Sequence, residues 1–260
     1  MGRLLGISSH AFSYVKFSFS MSEFRFKQFG ISQDKCAMKV GTDGVLLGAW
    51  APGGKRILDV GTGTGLVALM MAQRYSEAHI VGIDIDIDAC DQAAENAAAS
   101  PFGDRVEIVH SRLQDYLFLQ DTGTSSSDVA SFDAIVSNPP FFVNSLKNPD
   151  NKRSMARHSD VLPFRDLWLG VKRLLTDEGT FSVILPSEVK EKFITEGYML
   201  GFRLIAQCAI KTVERKMPKR YLLSFARHHD GALRDSVEIM MNKEGGRSEW
   251  YQKITAEFYL

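Results

Sequence analysis

The chain is 260 residues long, 45% hydrophobic and 24% charged, which excludes a disordered or fibrous protein and fits a globular one with a sizeable core. Lys+Arg and Asp+Glu both number 31, so the formal net charge is zero; that argues against broad, sequence-independent nucleic-acid binding but leaves room for a local basic face. No apolar run approaches the roughly 20 residues of a membrane span, and Cys36, Cys90 and Cys208 stand apart with no CxxC or Cys/His cluster, so the expectation is reduced thiols, no metal and a cytoplasmic location.

Residues 1–22 mix Ser with Phe and lack the continuous apolar stretch and small-residue cleavage site of a signal peptide. They read as a disordered or over-long extension, with Met21 as the native start. Residues 23–260 show no linker or internal repeat and read as one domain. Phe24, Phe26 and Phe29 near Gly30 suggest a short hairpin. Lys39 to Asp43 form a glycine-containing turn, after which Thr42 or Asp43 is expected to cap a helix running to Trp50 and stopped by Pro52-Gly53-Gly54. This opening segment reads as a cover over a sheet, with Lys39, Thr42 and Asp43 near a ligand.

A short apolar strand from Arg56 then runs into Gly61, Gly63 and Gly65, and an apolar helix follows to about Tyr75. Glycines at a strand-to-helix turn let backbone approach a ligand and aim amides at it. A dinucleotide loop would read GxGxxG, whereas this one reads DxGxGxG. Asp59 at the strand end would repel a pyrophosphate but attract a cation, and S-adenosylmethionine carries an ammonium and a sulfonium beside a carboxylate suited to helix amides. Roughly 20 residues on, the strand His79–Asp84 ends in an acid placed to read a ribose diol. Ile85 could pack on the adenine, and Asp86 and Asp88 read as helix-capping acids.

Ala89–Ala99 reads as a helix, Arg105–Val109 as a third strand, Gln120–Ser131 as a polar surface loop and Phe132–Val136 as a fourth strand. The alternation is that of a Rossmann-like, doubly wound α/β fold with a mostly parallel sheet. Asn138-Pro139-Pro140-Phe141 follows the fourth strand. The Asn138 side-chain carbonyl can accept from a planar NH2 group. The prolines lack N–H groups and hold carbonyls outward as further acceptors. Phe141 offers a ring face for a flat base or amide. Together these describe a receptor for an amino group on a planar system.

The polar stretch after Phe141 carries Arg153 and Arg157, candidates for substrate binding. Phe164–Leu175 reads as a helix and Thr180–Leu185 as a fifth strand, with Ser187 capping a helix Glu188–Leu200. Phe202–Ala209 and Arg220–Ala226 read as a closing strand pair, and Ser236–Met241 is a candidate for one more strand. Between the closing pair lies KTVERKMPKR, whose Lys216 and Lys219 would grip phosphates if the loop stood on the rim of the site.

DVGTGTG, the acid at 84, Asn96 and NPPF together resemble class I S-adenosylmethionine-dependent N-methyltransferases. The opening FKQFGISQDKCAMKVGTDGVLLGAWA and the terminal FYL resemble the bacterial tRNA1(Val) (adenine-37 N6)-methyltransferase family. The resemblance spans about Phe24 to Leu260 and is loose beyond residue 160. It implies a seven-stranded sheet with one antiparallel strand, S-adenosylmethionine as methyl donor and a tRNA adenine as acceptor. It also implies that Asp59, Gly61, Gly63 and Asp84 hold the donor while Asn138, Pro139 and Phe141 hold the adenine. One departure is visible: where such enzymes carry an acid after the third strand, this chain has Arg112, so that either Gln114 or Asp115 substitutes for it or that contact is lost. A monomer with neither membrane nor metal partner is expected. Methylation of a protein glutamine amide is the nearer alternative, and a non-catalytic nucleotide- or tRNA-binding module the more distant one.

Overall fold

The computed structural model describes residues 23–36, 39–116, 131–140 and 162–260. Expectations for residues 1–22, for the polar loop up to residue 130, and for Phe141, Arg153 and Arg157 lie outside these. An antiparallel pair, β1 (Phe24–Arg25) and β2 (Gly30–Ile31), opens the described chain. It is followed by helix α1 (Thr42–Trp50), strand β3 (Arg56–Val60), α2 (Leu66–Arg74), β4 (His79–Asp84), α3 (Ile87–Ala99), β5 (Val106–His110) and β6 (Phe132–Ser137). The second half contains α4 (Phe164–Leu174), β7 (Leu175–Pro186), α5 (Ser187–Met199), β8 (Arg203–Lys211), β9 (Arg220–Ala226), β10 (Arg234–Ile239) and α6 (Glu249–Thr255).

The main sheet has the order β10-β8-β9-β7-β6-β3-β4-β5. Among the described strands only β9 runs against the rest, pairing antiparallel with both β7 and β8. The architecture is the mostly parallel sheet with one antiparallel strand that was expected, with eight strands instead of seven. The eighth, β10, pairs parallel with β8 from Arg234↔Ala206 to Ile239↔Lys211, covering an edge that would otherwise present unpaired backbone.

β3, β4 and β6 are apolar on both faces because helices cover both. Ile57, Ile80, Ala134 and Val136 face a layer that includes Val45, Leu46, Leu69 and Met70 of α1 and α2, and Phe258 from the chain's end. Their alternate neighbours Leu58, Val81 and Ile135 face Leu167, Trp168 and Phe193 of α4 and α5. Trp168 anchors that second layer: its indole N–H donates to the Phe193 carbonyl (3.1 Å), and its ring lies about 5 Å from those of Phe181, Phe202 and Phe225. The three cysteines are free and buried, and burial is the largest cause holding each thiol up at about 11.

Two expected caps are corrected. Gly41, with no side chain to offer, precedes α1, so Thr42 and Asp43 are helical residues; Asp43 pairs with Arg220 instead, Nε to Oδ2 2.7 Å. Ser187 is likewise the first residue of α5, behind Pro186. Asp86 does cap α3, accepting from the Asp88 amide at 3.0 Å. Among the described residues no helix is long and apolar enough to cross a membrane, and no group of three or more His, Cys, Asp or Glu is placed to hold a metal ion.

Candidate functional site

The carboxyl ends of the parallel strands bring the two sequence motifs together. Ile83 of β4, Val60 of β3, Ser137 of β6 and Val183 of β7 form one row across the sheet. The next residue on the first three strands is Asp84, Gly61 and Asn138 respectively. Paired strands lie about 5 Å apart, so the glycine loop and the Asn-Pro-Pro corner leave the sheet side by side. The Ser137 hydroxyl fastens the two strand ends, donating to the Val60 carbonyl at 2.8 Å. Asn138 is half-buried, Pro139 buried and Pro140 exposed.

Gly61, Gly63 and Gly65 have φ of 72°, 54° and 80°, the left-handed region that disfavours any side chain. The amides of Gly61 and Thr62 both donate to the Ile83 carbonyl, at 2.9 and 3.0 Å. The Gly63 amide donates to Asp84 Oδ2 at 2.9 Å, while Asp84 Oδ1 accepts from the Asp86 amide at 3.1 Å. Thus Asp84, the acid expected to face a ribose, also holds the glycine loop against β4. Among the described residues, a Cβ added at Gly61 or Gly63 would meet nothing within 4 Å, whereas one at Gly65 would come 3.2 Å from Ala93 Cβ. The first two glycines therefore border open space, and the third seats the loop on α3.

Asp59, read from the sequence as the attraction for a cation, is 1% exposed beneath the loop. Its Oδ2 accepts from the Thr62 hydroxyl at 2.8 Å and from the Ala68 amide at 3.1 Å. Burial pushes its pKa up to about 7, with the Thr62 and Ala68 hydrogen bonds pulling the other way and Asp84 adding to the rise. Its visible work is to bind the loop to the first turn of α2. Ile85 is 39% exposed, with its carbonyl 3.0 Å from His110 Nε2. Past β5, the Ser111 amide binds the Asp84 carbonyl at 2.9 Å, and the amides of Asp115 and Tyr116 both turn back to the Arg112 carbonyl. Asp115 is exposed in that turn. The Gln114 side-chain amide donates to Asp166 Oδ2 of α4 at 3.2 Å.

The opening segment is tied to α3 and, through it, to the glycine loop. Asn96, 3% exposed, accepts from the Ser32 amide at 2.9 Å and donates to the carbonyls of Ser32 and of Thr64 in the glycine loop, both at 2.9 Å. One side chain thus joins cover to loop. Gln92 adds a second tie by accepting from the Lys35 amide at 3.1 Å. Lys39 is exposed and donates to the Gln33 carbonyl, Gln33 Oε1 accepts from the Val40 amide at 2.7 Å, and Thr42 is exposed at the start of α1. The sequence marks Asn96 only through a family pattern; its bridging role needs partners 64 and 32 residues away.

Lys216 and Lys219 are exposed on the loop joining β8 to β9, which stands on the same carboxyl edge because β8 runs parallel to β7. The base of this loop is stitched down: the Ser187 amide donates to the Lys219 carbonyl (3.2 Å), the Lys219 amide to the Ile210 carbonyl (3.0 Å), and Arg220 pairs with Asp43.

A methyltransferase-domain model matches residues 52–231, which include the glycine loop, the Asn-Pro-Pro corner and all the strands from β3 to β9. A protein of Bacteroides thetaiotaomicron named tRNA1(Val) (adenine(37)-N6)-methyltransferase is 48% identical over 242 residues, 91% of this chain and 97% of that protein. A Klebsiella pneumoniae protein of the same name is 36% identical over 251 residues, covering 95% of this chain and 99% of the relative. Among solved structures, a predicted O-methyltransferase from Agrobacterium tumefaciens superposes with a TM-score of 0.61 at 17% identity, over 83% of this chain and 96% of the other, which speaks for the fold alone. With the domain matched across more than half its length and such relatives aligned almost end to end, the chain belongs to the methyltransferase-domain family and, within it, to the tRNA1(Val) (adenine(37)-N6)-methyltransferases.

Proposed function

We propose that this protein transfers a methyl group from S-adenosylmethionine to the N6 amine of adenine 37 in a tRNA1(Val)-like tRNA, acting in the cytoplasm as a monomer. The observation that carries the proposal is the register that sets Gly61 and Asn138 at the ends of two paired strands, beside Asp84 on a third. The names borne by the relatives agree with it.

The residues present fit the donor. Gly61 and Gly63 border room that any side chain would fill. Asp84 stands at the strand end to accept from a ribose diol, Ile85 is exposed enough to pack against a purine, and Asp115 is available to accept from an adenine amine. Lys39 and Thr42 lie on the covering segment. S-adenosylmethionine, when bound, supplies an electrophilic methyl on a sulfonium.

The chain's own groups do the rest. An adenine amine is a weak nucleophile because its lone pair is delocalised into the ring. The Asn138 side-chain oxygen and the Pro139 carbonyl would accept its two N–H bonds, favouring a pyramidal nitrogen with its lone pair turned toward the glycine loop. The same acceptors stabilise positive charge as it develops on that nitrogen. No strong base is required, since the methylated amine is acidic and releases its proton afterwards. Pro140 stiffens the corner, and Phe141 would stack on the base, offsetting part of the few kcal/mol needed to unstack it.

The test is mass spectrometry of nucleosides from unmodified tRNA incubated with the protein and the donor, beside a protein carrying an accessible glutamine amide. N6-methyladenosine at position 37 is the expected product. Methyl-glutamine with unmodified tRNA would replace this reading with the protein-directed one, and no product from either would remove it.

A further inference from the structure

The eighth strand brings a second loop to the working edge. Because β10 pairs in parallel with β8 right up to Ile239↔Lys211, the turn that leaves it stands beside the β8–β9 loop. Backbone bonds continue past the strands, from the Met240 amide to the Lys211 carbonyl (2.9 Å) and from the Met241 amide to the Thr212 carbonyl (3.0 Å). The turn is firmly built. The Asn242 amide donates to the Gly246 carbonyl and Asn242 Oδ1 accepts from the Gly246 amide, both at 2.8 Å, and Gly245 takes φ 85°. Lys243 crosses to Glu214 of the neighbouring loop, Nζ to Oε2 3.5 Å.

The two loops form a bracket on which Arg215, Lys216, Lys219 and Lys243 are exposed, against exposed Glu214 and Glu244. Met217 stands 80% exposed in its midst. In a chain with no net charge, such a cluster on the edge that carries the glycine loop is a local feature, not a reflection of composition.

We infer that this bracket is a docking surface for the phosphodiester backbone of the RNA substrate, outside the pocket that takes the adenine. The inference rests on the RNA-directed reading above and extends it to a partner surface built by the added strand. Phosphates suit the bracket because its cations are exposed while backbone hydrogen bonds hold the loops that carry them. Such contacts position a nucleic acid without reading its sequence, and each one releases counterions on binding.

The test measures tRNA binding by the full chain as a function of salt, for wild type, for Arg215→Glu/Lys216→Glu/Lys219→Glu and for Lys243→Glu. The triple variant is expected to lose about tenfold or more in affinity near 0.1 M salt, with the slope of log K against log salt reduced by about one per lost contact. Lys243→Glu should show the same change on a smaller scale. Calorimetric binding of S-adenosylmethionine and the thermal transition should match wild type, so a loss cannot be laid to misfolding. Wild-type affinity and slope in the triple variant would overturn the inference while leaving methyl transfer intact. Wild type that binds tRNA with the expected slope but methylates none would overturn the proposed function and leave the bracket standing.

Discussion

Two glycines in one loop make different predictions when each gains a single methyl. Gly63 has φ 54° and open space where its Cβ would stand; Gly65 has φ 80° and Ala93 Cβ 3.2 Å away. Holding alanine in the left-handed region costs about 1–2 kcal/mol in either case. At Gly65 the crowding adds about 1–2 kcal/mol more, because the neighbours belong to a helix that cannot retreat. With about 2–4 °C in Tm for each kcal/mol in a chain of this size, Gly63→Ala should melt roughly 2–8 °C lower and Gly65→Ala roughly 4–16 °C lower. Donor binding should reverse the order. The methyl at residue 63 projects into the space assigned to S-adenosylmethionine, where overfilling costs about 1–3 kcal/mol, or about 5- to 150-fold in Kd. The methyl at residue 65 points away from that space toward α3 and should weaken binding much less. Calorimetric titration of both variants, each shown to be folded by its thermal transition, decides the matter. A folded Gly63→Ala that binds the donor within twofold of wild type would refute the assignment of that space.

Three further outcomes are expected. Asn138→Ala should abolish methyl transfer to tRNA while leaving donor binding within a few-fold of wild type; transfer at the wild-type rate would end the role given to Asn138. Asp59 has a carboxyl raised from 3.8 to about 7 in the folded chain, so the folded state holds the proton more tightly than the unfolded one, and ionising Asp59 reduces stability as pH climbs from about 4 to 7. Asp59→Asn should therefore gain in Tm relative to wild type across that window; a difference independent of pH would count against a buried, titrating Asp59. Asn96→Asp exchanges two donated hydrogen bonds for a buried carboxylate facing two carbonyls and should cost about 2–4 kcal/mol in denaturant titration. Faster amide exchange at residues 32–35 should accompany it, and a loss below about 0.5 kcal/mol would show that the cover is held elsewhere.

Strands β3, β4 and β6 were legible because each is an apolar run closed by a turn, and α2 and α3 because glycine and an aspartate cap mark their starts. The caps misread at α1 and α5 show the limit of that signal: Asp43 had a stronger partner in Arg220, 177 residues away. The early start of β7 was hidden: the apolar periodicity of Phe164–Leu175 reads as helix to its last residue, yet Leu175 already belongs to the strand and pairs with Phe132.

What the sequence determined by itself was local chemistry: glycines able to take positive φ before a helix, an acid at the end of the next strand, and acceptors on a rigid Asn-Pro-Pro corner. Family kinship is also written there, since relatives align along nearly the whole chain. Only the tertiary structure decided which groups share a place. Strand order put Gly61 next to Asn138, burial turned Asp59 into a fastening under the loop, Asn96 joined the cover to the glycines, and β10 carried Lys243 to the β8–β9 loop. The reason is that hydrogen bonds and ion pairs are chosen by proximity in the folded chain, and spacing along the sequence carries no record of that proximity once partners lie tens of residues apart.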